Sequence, residues 1–118
     1  MNVLIVEDNT DDRRLLRSTL EHHGCTVIEA RDGEEGLDLA SRHHPDVIVS
    51  DALMPRMDGF QLLHALKTDA HLKSIPFLFY SATYIGEQEE KLALSLGAEA
   101  FVVKPMELQS FGRKPARS

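Results

Sequence analysis

The chain has 118 residues, of which 42% are hydrophobic and 27% charged, and its formal net charge is -6. This length and composition predict one globular domain with a single core. The negative charge gives no indication of sequence-independent binding to nucleic acid or to an anionic membrane. The single cysteine, Cys25, excludes an internal disulfide. Because there is neither a signal-peptide pattern nor a membrane-length apolar run, we expect a cytoplasmic protein.

Five short apolar runs predict β-strands. They lie at residues 3–6, 26–30, 47–49, 75–80 and 100–103. Most of them lack polar alternation, which is typical of strands buried on both faces of a parallel sheet. The second run alternates more, so we expect it near an edge of the sheet.

The segments between the runs predict helices. The first helix begins at Asn9 or Thr10 and closes at Gly24. The second follows the turn signal Asp32-Gly33 and stops before Pro45. Strands that alternate with helices predict an α/β fold with a parallel sheet and helices on both faces. A doubly wound, flavodoxin-like sheet is one fold of this kind.

Two further helices are predicted later in the chain. The third extends from Phe60 to near Asp69, and the fourth spans residues 87–96, with Gly97 as its C-terminal stop. The side chains predicted to face the core from the first, second and fourth helices are Leu15, Leu16, Leu20, Leu37, Ala40, Leu92, Ala93 and Leu96.

The C-terminal segment has a weaker helical pattern. Leu108 and Phe111 lie at helical spacing, but Gly112 and Pro115 interrupt the rest of the segment. We therefore expect a domain over residues 1–111 with a short or incomplete fifth helix, and a basic tail or linker over residues 112–118. The chain is expected to be either a stand-alone domain or the leading domain of a longer protein.

Acidic side chains stand where two strands end. Glu7 and Asp8 follow the first strand, and Asp51 follows the third. If the strands take the flavodoxin-like order 2-1-3-4-5, these ends are neighbours at the switch point where ligands bind. Three close carboxylates repel one another unless a pKa rises or a cation neutralises them, so they are candidate Mg²⁺ ligands. An Asp carboxylate is also a known nucleophile toward phosphorus.

Two further polar side chains are predicted at the same edge. Ser81 follows the fourth strand and Lys104 the fifth. A hydroxyl can donate to a phosphate oxygen, and a lysine can pair with Asp51 or with phosphate oxygens. Each residue alone has an ordinary structural explanation, but the combination indicates phosphoryl transfer, which requires chiefly positioning and a metal.

On these residues the chain resembles the receiver domain of response regulators, over roughly residues 2–108. The resemblance implies that Asp51 accepts a phosphoryl group from a sensor histidine kinase or a phosphotransfer protein, and that a downstream effector reads the change. It implies no other enzyme activity than the domain's own phosphorylation and dephosphorylation. The motifs that carry it are Glu7-Asp8, Asp51 with Met54-Pro55 and Asp58-Gly59, Ser81-Ala82, and Lys104-Pro105.

The resemblance also implies a role for each site residue. Ser81 and Lys104 would contact the phosphoryl group, and the Lys104-Pro105 bond would be cis. Phe101 would repack as Ser81 moves, which switches the face of the fourth helix, fifth strand and fifth helix, a face through which a homodimer is possible. The implied Mg²⁺ ligands are Glu7, Asp8, Asp51 and the backbone carbonyl of Leu53.

Two other functions fit parts of the sequence. A phosphorylation-independent interaction module would keep the fold, but all five site residues are intact, which argues against it. A metal-dependent phosphatase with an Asp nucleophile usually has a second Asp two residues later, where this chain has Leu53. We expect Leu53 to shield an acyl phosphate from water and so to slow self-dephosphorylation.

Overall fold

The computed structural model describes residues 1–54, 56–81 and 86–103, and strands and helices alternate along them. Within these ranges no helix combines the length and the apolar character needed to cross a bilayer. The predicted fifth helix and the tail lie outside the described residues. The strands are β1 (Asn2–Val6), β2 (Thr26–Ala30), β3 (Val47–Ser50), β4 (Phe77–Ser81) and β5 (Ala100–Val103). The helices are α1 (Thr10–His22), α2 (Gly33–His43), α3 (Gly59–Lys67) and α4 (Glu87–Ser95).

The five strands form one parallel sheet in the order β2-β1-β3-β4-β5. This confirms the predicted fold class and the edge position of β2. Val6 pairs in register with Ala30 on one side and with Ser50 on the other. Because these three residues are the last of their strands, the segments after them emerge side by side at one edge of the sheet.

The core lies on both faces of the sheet. Leu4 and Val6 of β1 belong to a cluster that also holds side chains of α2, α3 and α4. Val3 and Ile5, which point to the opposite face, belong to a second cluster with side chains of α1. The sheet is therefore covered on both faces, as the continuous apolar runs predict.

Polar side chains begin three of the helices. Asn9, Asp32 and Asp58 are the N-caps of α1, α2 and α3, and each side chain accepts a hydrogen bond from the backbone N–H three residues later. This corrects the prediction of a turn at Asp32-Gly33, because Gly33 is already the first residue of α2. Asp58 and Gln61 form a reciprocal capping box.

Two predicted core positions are wrong. Leu15 is 68% exposed and Leu92 is 50% exposed. Successive helix residues are about 100° apart, so Leu15 points away from the face that Leu16 shares with Leu20. Leu92 is likewise one residue away from the buried Ala93.

The fourth strand is shifted from its predicted span. β4 begins at Phe77 instead of Ile75 and ends at Ser81 instead of Tyr80. Ile75 is buried in the preceding turn, and the carbonyl of Pro76 accepts the N–H of Ile48 at 2.9 Å. Ser81 therefore belongs to the ladder, which restrains its backbone at the edge of the sheet.

Candidate functional site

Three carboxylates meet where β1 and β3 end. Glu7 and Asp8 directly follow β1, and Asp51 directly follows β3. One carboxylate oxygen from each lies within 4.8 Å of the other two. The structure thus brings together the three acids that the strand order predicts to be neighbours.

Backbone hydrogen bonds fix this cluster to the sheet. The N–H of Asp51 donates to the carbonyl of Val6 at 2.9 Å, and the N–H of Glu7 donates to the carbonyl of Ala30 at 3.0 Å. These bonds continue the parallel ladders by one residue beyond the strands. The acids are therefore positioned by the sheet and not by a long loop, which favours a defined geometry.

The three acids differ in exposure. Glu7 is only 3% exposed, Asp51 is half-buried and Asp8 is exposed. The N–H of Asn9 donates to Oε2 of Glu7 at 3.0 Å, and the N–H of Ala52 donates to Oδ1 of Asp51 at 2.8 Å. The cluster consequently opens to solvent on the side of Asp8 and Asp51.

The donor set suits a small divalent cation. Carboxylates are hard oxygen ligands, which Mg²⁺ and Ca²⁺ prefer. Because the carboxylate oxygens lie within 4.8 Å of one another, their negative charges repel unless a cation lies between them or a proton neutralises one of them. Glu7, Asp8 and Asp51 therefore fit a divalent metal ion.

The first residue of α3 lies close against Asp51. A Cβ on Gly59 would be 2.3 Å from the backbone oxygen of Asp51 and 2.7 Å from Cε1 of Phe79. Only glycine allows this approach. Leu53, two residues after Asp51, has a side chain that is 53% exposed.

Ser81 and Phe101 occupy neighbouring strands on the other side of β3. Ser81 is buried at the end of β4, where it pairs in register with Val103. The ring of Phe101 packs on Phe79 with a centroid separation of 5.3 Å. Lys104 and the Lys104-Pro105 bond lie outside the described residues, so their predicted roles remain predictions.

Sequence reasoning missed Arg13. Its side chain is buried, and Nη1 donates to the carbonyl oxygen of Glu7 at 2.8 Å. Nε also donates to Oε1 of Glu29 at 2.9 Å. The available signal was its spacing, because Arg13 precedes Leu16 by three residues and Leu20 by seven, which places it on their helix face.

Glu29 links this arginine to a second one. Arg17 pairs with the other carboxylate oxygen of Glu29 and with Glu21. The hydrogen bond from Arg17 lowers the pKa of Glu29 against the opposing effect of burial, and Arg13 adds to the lowering. The same pairing raises the pKa of Arg17. The network connects α1 to the edge strand beside the acidic cluster.

Comparison with known proteins identifies the family of this chain. Residues 3–113 match the family model of the response regulator receiver domain. The polar-differentiation response regulator DivK of Brucella ovis is 37% identical over 110 residues, which cover 93% of this chain and 89% of DivK. The chain therefore belongs to the receiver-domain family of response regulators, the proteins of two-component signalling.

Solved structures show the same relationship. The chemotaxis response regulator CheY4 of Vibrio cholerae has a TM-score of 0.86 and 31% sequence identity, with 95% of this chain and 96% of that chain covered. The signal receiver domain of a histidine kinase from Syntrophus aciditrophicus has a TM-score of 0.83 and 32% identity, with 94% and 83% covered. The fold is thus similar to that of a chemotaxis response regulator and to that of the receiver domain of a histidine kinase.

Proposed function

We propose that this chain is a phosphoacceptor receiver domain in which Asp51 takes a phosphoryl group from a phosphohistidine in the presence of Mg²⁺. The observation that carries the proposal is the convergence of Glu7, Asp8 and Asp51 within 4.8 Å at the ends of β1 and β3. An acid at the carboxyl end of a central parallel strand is accessible to a ligand, and its acidic neighbours supply a place for a cation.

The residues of this chain have distinct roles in the transfer. The Ala52 amide holds Oδ1 of Asp51, so we assign the attack on phosphorus to Oδ2. An electron pair of Oδ2 forms the new O–P bond as the P–N bond of the donor breaks, and the leaving imidazole keeps its electron pair. Lys104 and Ser81 contact the phosphoryl oxygens.

Carboxylates and one backbone group would hold the metal. Its ligands would be Glu7, Asp8 and Asp51, together with the carbonyl of Leu53. The chemistry that a bound Mg²⁺ would supply is neutralisation of the negative charge between the carboxylates and the phosphoryl oxygens. The chain's own contribution is a set of acids whose backbone is restrained by the sheet, which lowers the cost of bringing them together.

The output is a change in a protein-interaction surface. Ser81 moves toward the phosphoryl group, and Phe101 repacks against Phe79. The centroids of these two rings are 5.3 Å apart before any change. This is a shift between two populations, so phosphorylation must stabilise one of them relative to the other. The affected surface comprises α4, β5 and the segment after it.

The domain spans residues 1–111, and residues 112–118 are a linker or tail. We place it in the cytoplasm, where it meets a sensor histidine kinase or phosphotransfer protein and a downstream effector. It catalyses only its own phosphorylation and dephosphorylation. The proposal also includes a homodimer of two such domains, which the sequence makes possible.

The test is the intact mass of the protein after incubation with acetyl phosphate and Mg²⁺. We expect the wild type to gain one phosphoryl group, and Asp51→Asn, which keeps the size and the Oδ1 acceptor of Asp51, to gain none. A sample with a chelator should also gain none. Addition to both proteins would assign the acceptor elsewhere, and no addition to either, with Mg²⁺ binding verified, would favour a phosphorylation-independent interaction module.

A further inference from the structure

Arg13 joins the acidic cluster to the edge strand of the sheet. Its Nη1 lies 2.8 Å from the carbonyl oxygen of Glu7, and its Nε lies 2.9 Å from Oε1 of Glu29. The guanidinium is a planar fork, so two bonds from different nitrogens fix its position and its plane. Its side chain is only 11% exposed, which makes both bonds costly to lose.

Three of the described hydrogen bonds restrain the Glu7 residue. Its N–H donates to Ala30, its Oε2 accepts from Asn9, and its carbonyl accepts from Arg13. That carbonyl belongs to the planar peptide that joins Glu7 to Asp8. Its orientation therefore sets the direction in which Asp8 leaves the sheet.

We propose that Arg13 is a positioning residue for the metal site: it orients the Glu7–Asp8 peptide so that both carboxylates converge with Asp51 on a divalent cation. The inference rests on the proposed function, in which these acids bind Mg²⁺. It assigns a role at the site to a helix side chain that contacts neither the metal nor the phosphoryl group.

Geometry and charge act in opposite directions here. The positive charge of Arg13 disfavours a cation nearby, whereas its hydrogen bond to Glu7 favours the converged ligands. Glu29, whose Oε1 lies 2.9 Å from Nε of Arg13, offsets part of that charge, and the bond from Nη1 of Arg13 to the Glu7 carbonyl is 2.8 Å long. Loss of Arg13 should therefore weaken Mg²⁺ binding, although a simple charge argument predicts tighter binding.

The experiment measures the Mg²⁺ dissociation constant by isothermal titration calorimetry. We expect Arg13→Met to weaken binding by about tenfold or more, the usual loss when a group that orients a metal ligand is removed. Arg17→Met is the matched control: Arg17 lies one helical turn further and shares Glu29, but its described bonds go to Glu21 and Glu29 and not to Glu7. It should bind Mg²⁺ like the wild type.

Arg13→Lys is the second variant and separates charge from geometry. It keeps the positive charge but loses the planar fork, so weaker Mg²⁺ binding by this variant supports the proposal even if Arg13→Met fails to fold. Unchanged or tighter binding by the lysine variant overturns it. Equal weakening by Arg13→Met and Arg17→Met also overturns it, because the effect would then come from the link between α1 and β2.

The wild type distinguishes failure of this inference from failure of the proposed function. If the wild-type protein does not bind Mg²⁺, the proposed function is wrong and the role of Arg13 falls with it. If the wild type binds Mg²⁺ and becomes phosphorylated while the Arg13 variants bind Mg²⁺ equally well, only the role of Arg13 is overturned.

Discussion

Leu53 is an exposed apolar side chain near Asp51 in the chain. It lies two residues after Asp51 and is 53% exposed, so it gains little from burial in the core. If Asp51 carries an acyl phosphate, as proposed, we expect this side chain to limit the approach of water to it. The rate of dephosphorylation is therefore the property that Leu53 is expected to control.

We predict that Leu53→Asn shortens the lifetime of phosphorylated Asp51 by about tenfold, which corresponds to about 1.4 kcal/mol of barrier. The amide can hydrogen-bond and orient an attacking water, which leucine cannot do. The measurement is the loss of the phosphoryl group with time by intact mass. Leu53→Met, which stays apolar, is the control, and an Asn variant no faster than the wild type would contradict the role assigned to Leu53.

The sequence and the structure give different reasons for a glycine at position 59. In the sequence, Asp58-Gly59 is a loop signal. In the structure, Gly59 begins α3 at a point where a Cβ would be 2.3 Å from the Asp51 oxygen. Its role is therefore to let the α3 backbone approach Asp51.

We predict that Gly59→Ala destabilises the domain by about 1–3 kcal/mol, since the added methyl must displace the Asp51 backbone or the Phe79 ring. It should also reduce phosphorylation. Gly24→Ala is the comparison for backbone conformation alone, because a Cβ there meets nothing within 4 Å: its φ of +90° costs stability, but phosphorylation should be unchanged. Urea unfolding gives both free energies, and a Gly59 variant as stable as the wild type would show that the contact relaxes freely.

At the scale of elements, the charged face of α1 holds the edge strand β2. Glu29 of β2 accepts hydrogen bonds from Arg13 and Arg17 of the helix. An edge strand has a hydrogen-bonded neighbour on one side only. Side-chain bonds from a helix therefore add to the restraint on the position of β2. The sequence shows the charges, but which of them pair depends on the packing of α1 against the sheet.

We predict that this link weakens in acid. Arg17 lowers the pKa of Glu29 below its ordinary value of 4.5, so the folded state holds this proton less tightly than the unfolded state. The stabilisation is therefore complete above pH 4.5 and is lost as the pH falls through the lowered folded-state pKa. Urea unfolding of wild type and Glu29→Gln should show a stability difference at pH 7 that shrinks toward acid pH.

Asp38→Asn is the control for this pH dependence. Asp38 pairs with Arg42 on the surface of α2, and both side chains are mostly exposed. Exposed pairs contribute little, about 0–1 kcal/mol, so this variant should match the wild type at every pH. A Glu29→Gln difference that stays constant with pH would mean that the carboxylate charge is not what stabilises the link.

At the scale of the whole molecule, an aromatic cluster connects the site to the core. Phe79 of β4 is fully buried. The centroid of its ring lies 4.9 Å from that of Phe60 of α3, 4.9 Å from that of Phe77 and 5.3 Å from that of Phe101 of β5. One side chain thus connects a helix with two strands beneath the candidate site.

We predict that Phe79→Ala costs about 3–5 kcal/mol, the usual loss for a buried phenylalanine. Because a small domain has a total stability of about 5–15 kcal/mol, this variant should be marginally folded, as measured by urea unfolding. Leu15→Ala is the control, since Leu15 is an exposed apolar residue and its removal should cost less than about 0.5 kcal/mol. A small cost for Phe79→Ala would mean that its neighbours collapse into the space.

The sequence by itself determined the alternation of strands and helices and the residues at the strand ends. Short apolar runs and N-cap side chains are local signals, so β2 and β5 have the predicted bounds and Asn9 caps α1. The motifs also indicated the receiver family. The strand order came from resemblance and not from the chain, because pairing between distant segments leaves no local pattern.

Only the tertiary structure decided which side chains meet. It brought Glu7, Asp8 and Asp51 within 4.8 Å, because the ladders align the ends of β1 and β3. In the structure Leu15 points to solvent, whereas Arg13 lies on the buried face of α1. A buried guanidinium is favourable there only because a carbonyl and a carboxylate are both within hydrogen-bonding distance. Those partners come from two other parts of the chain, and the helix pattern alone contains neither.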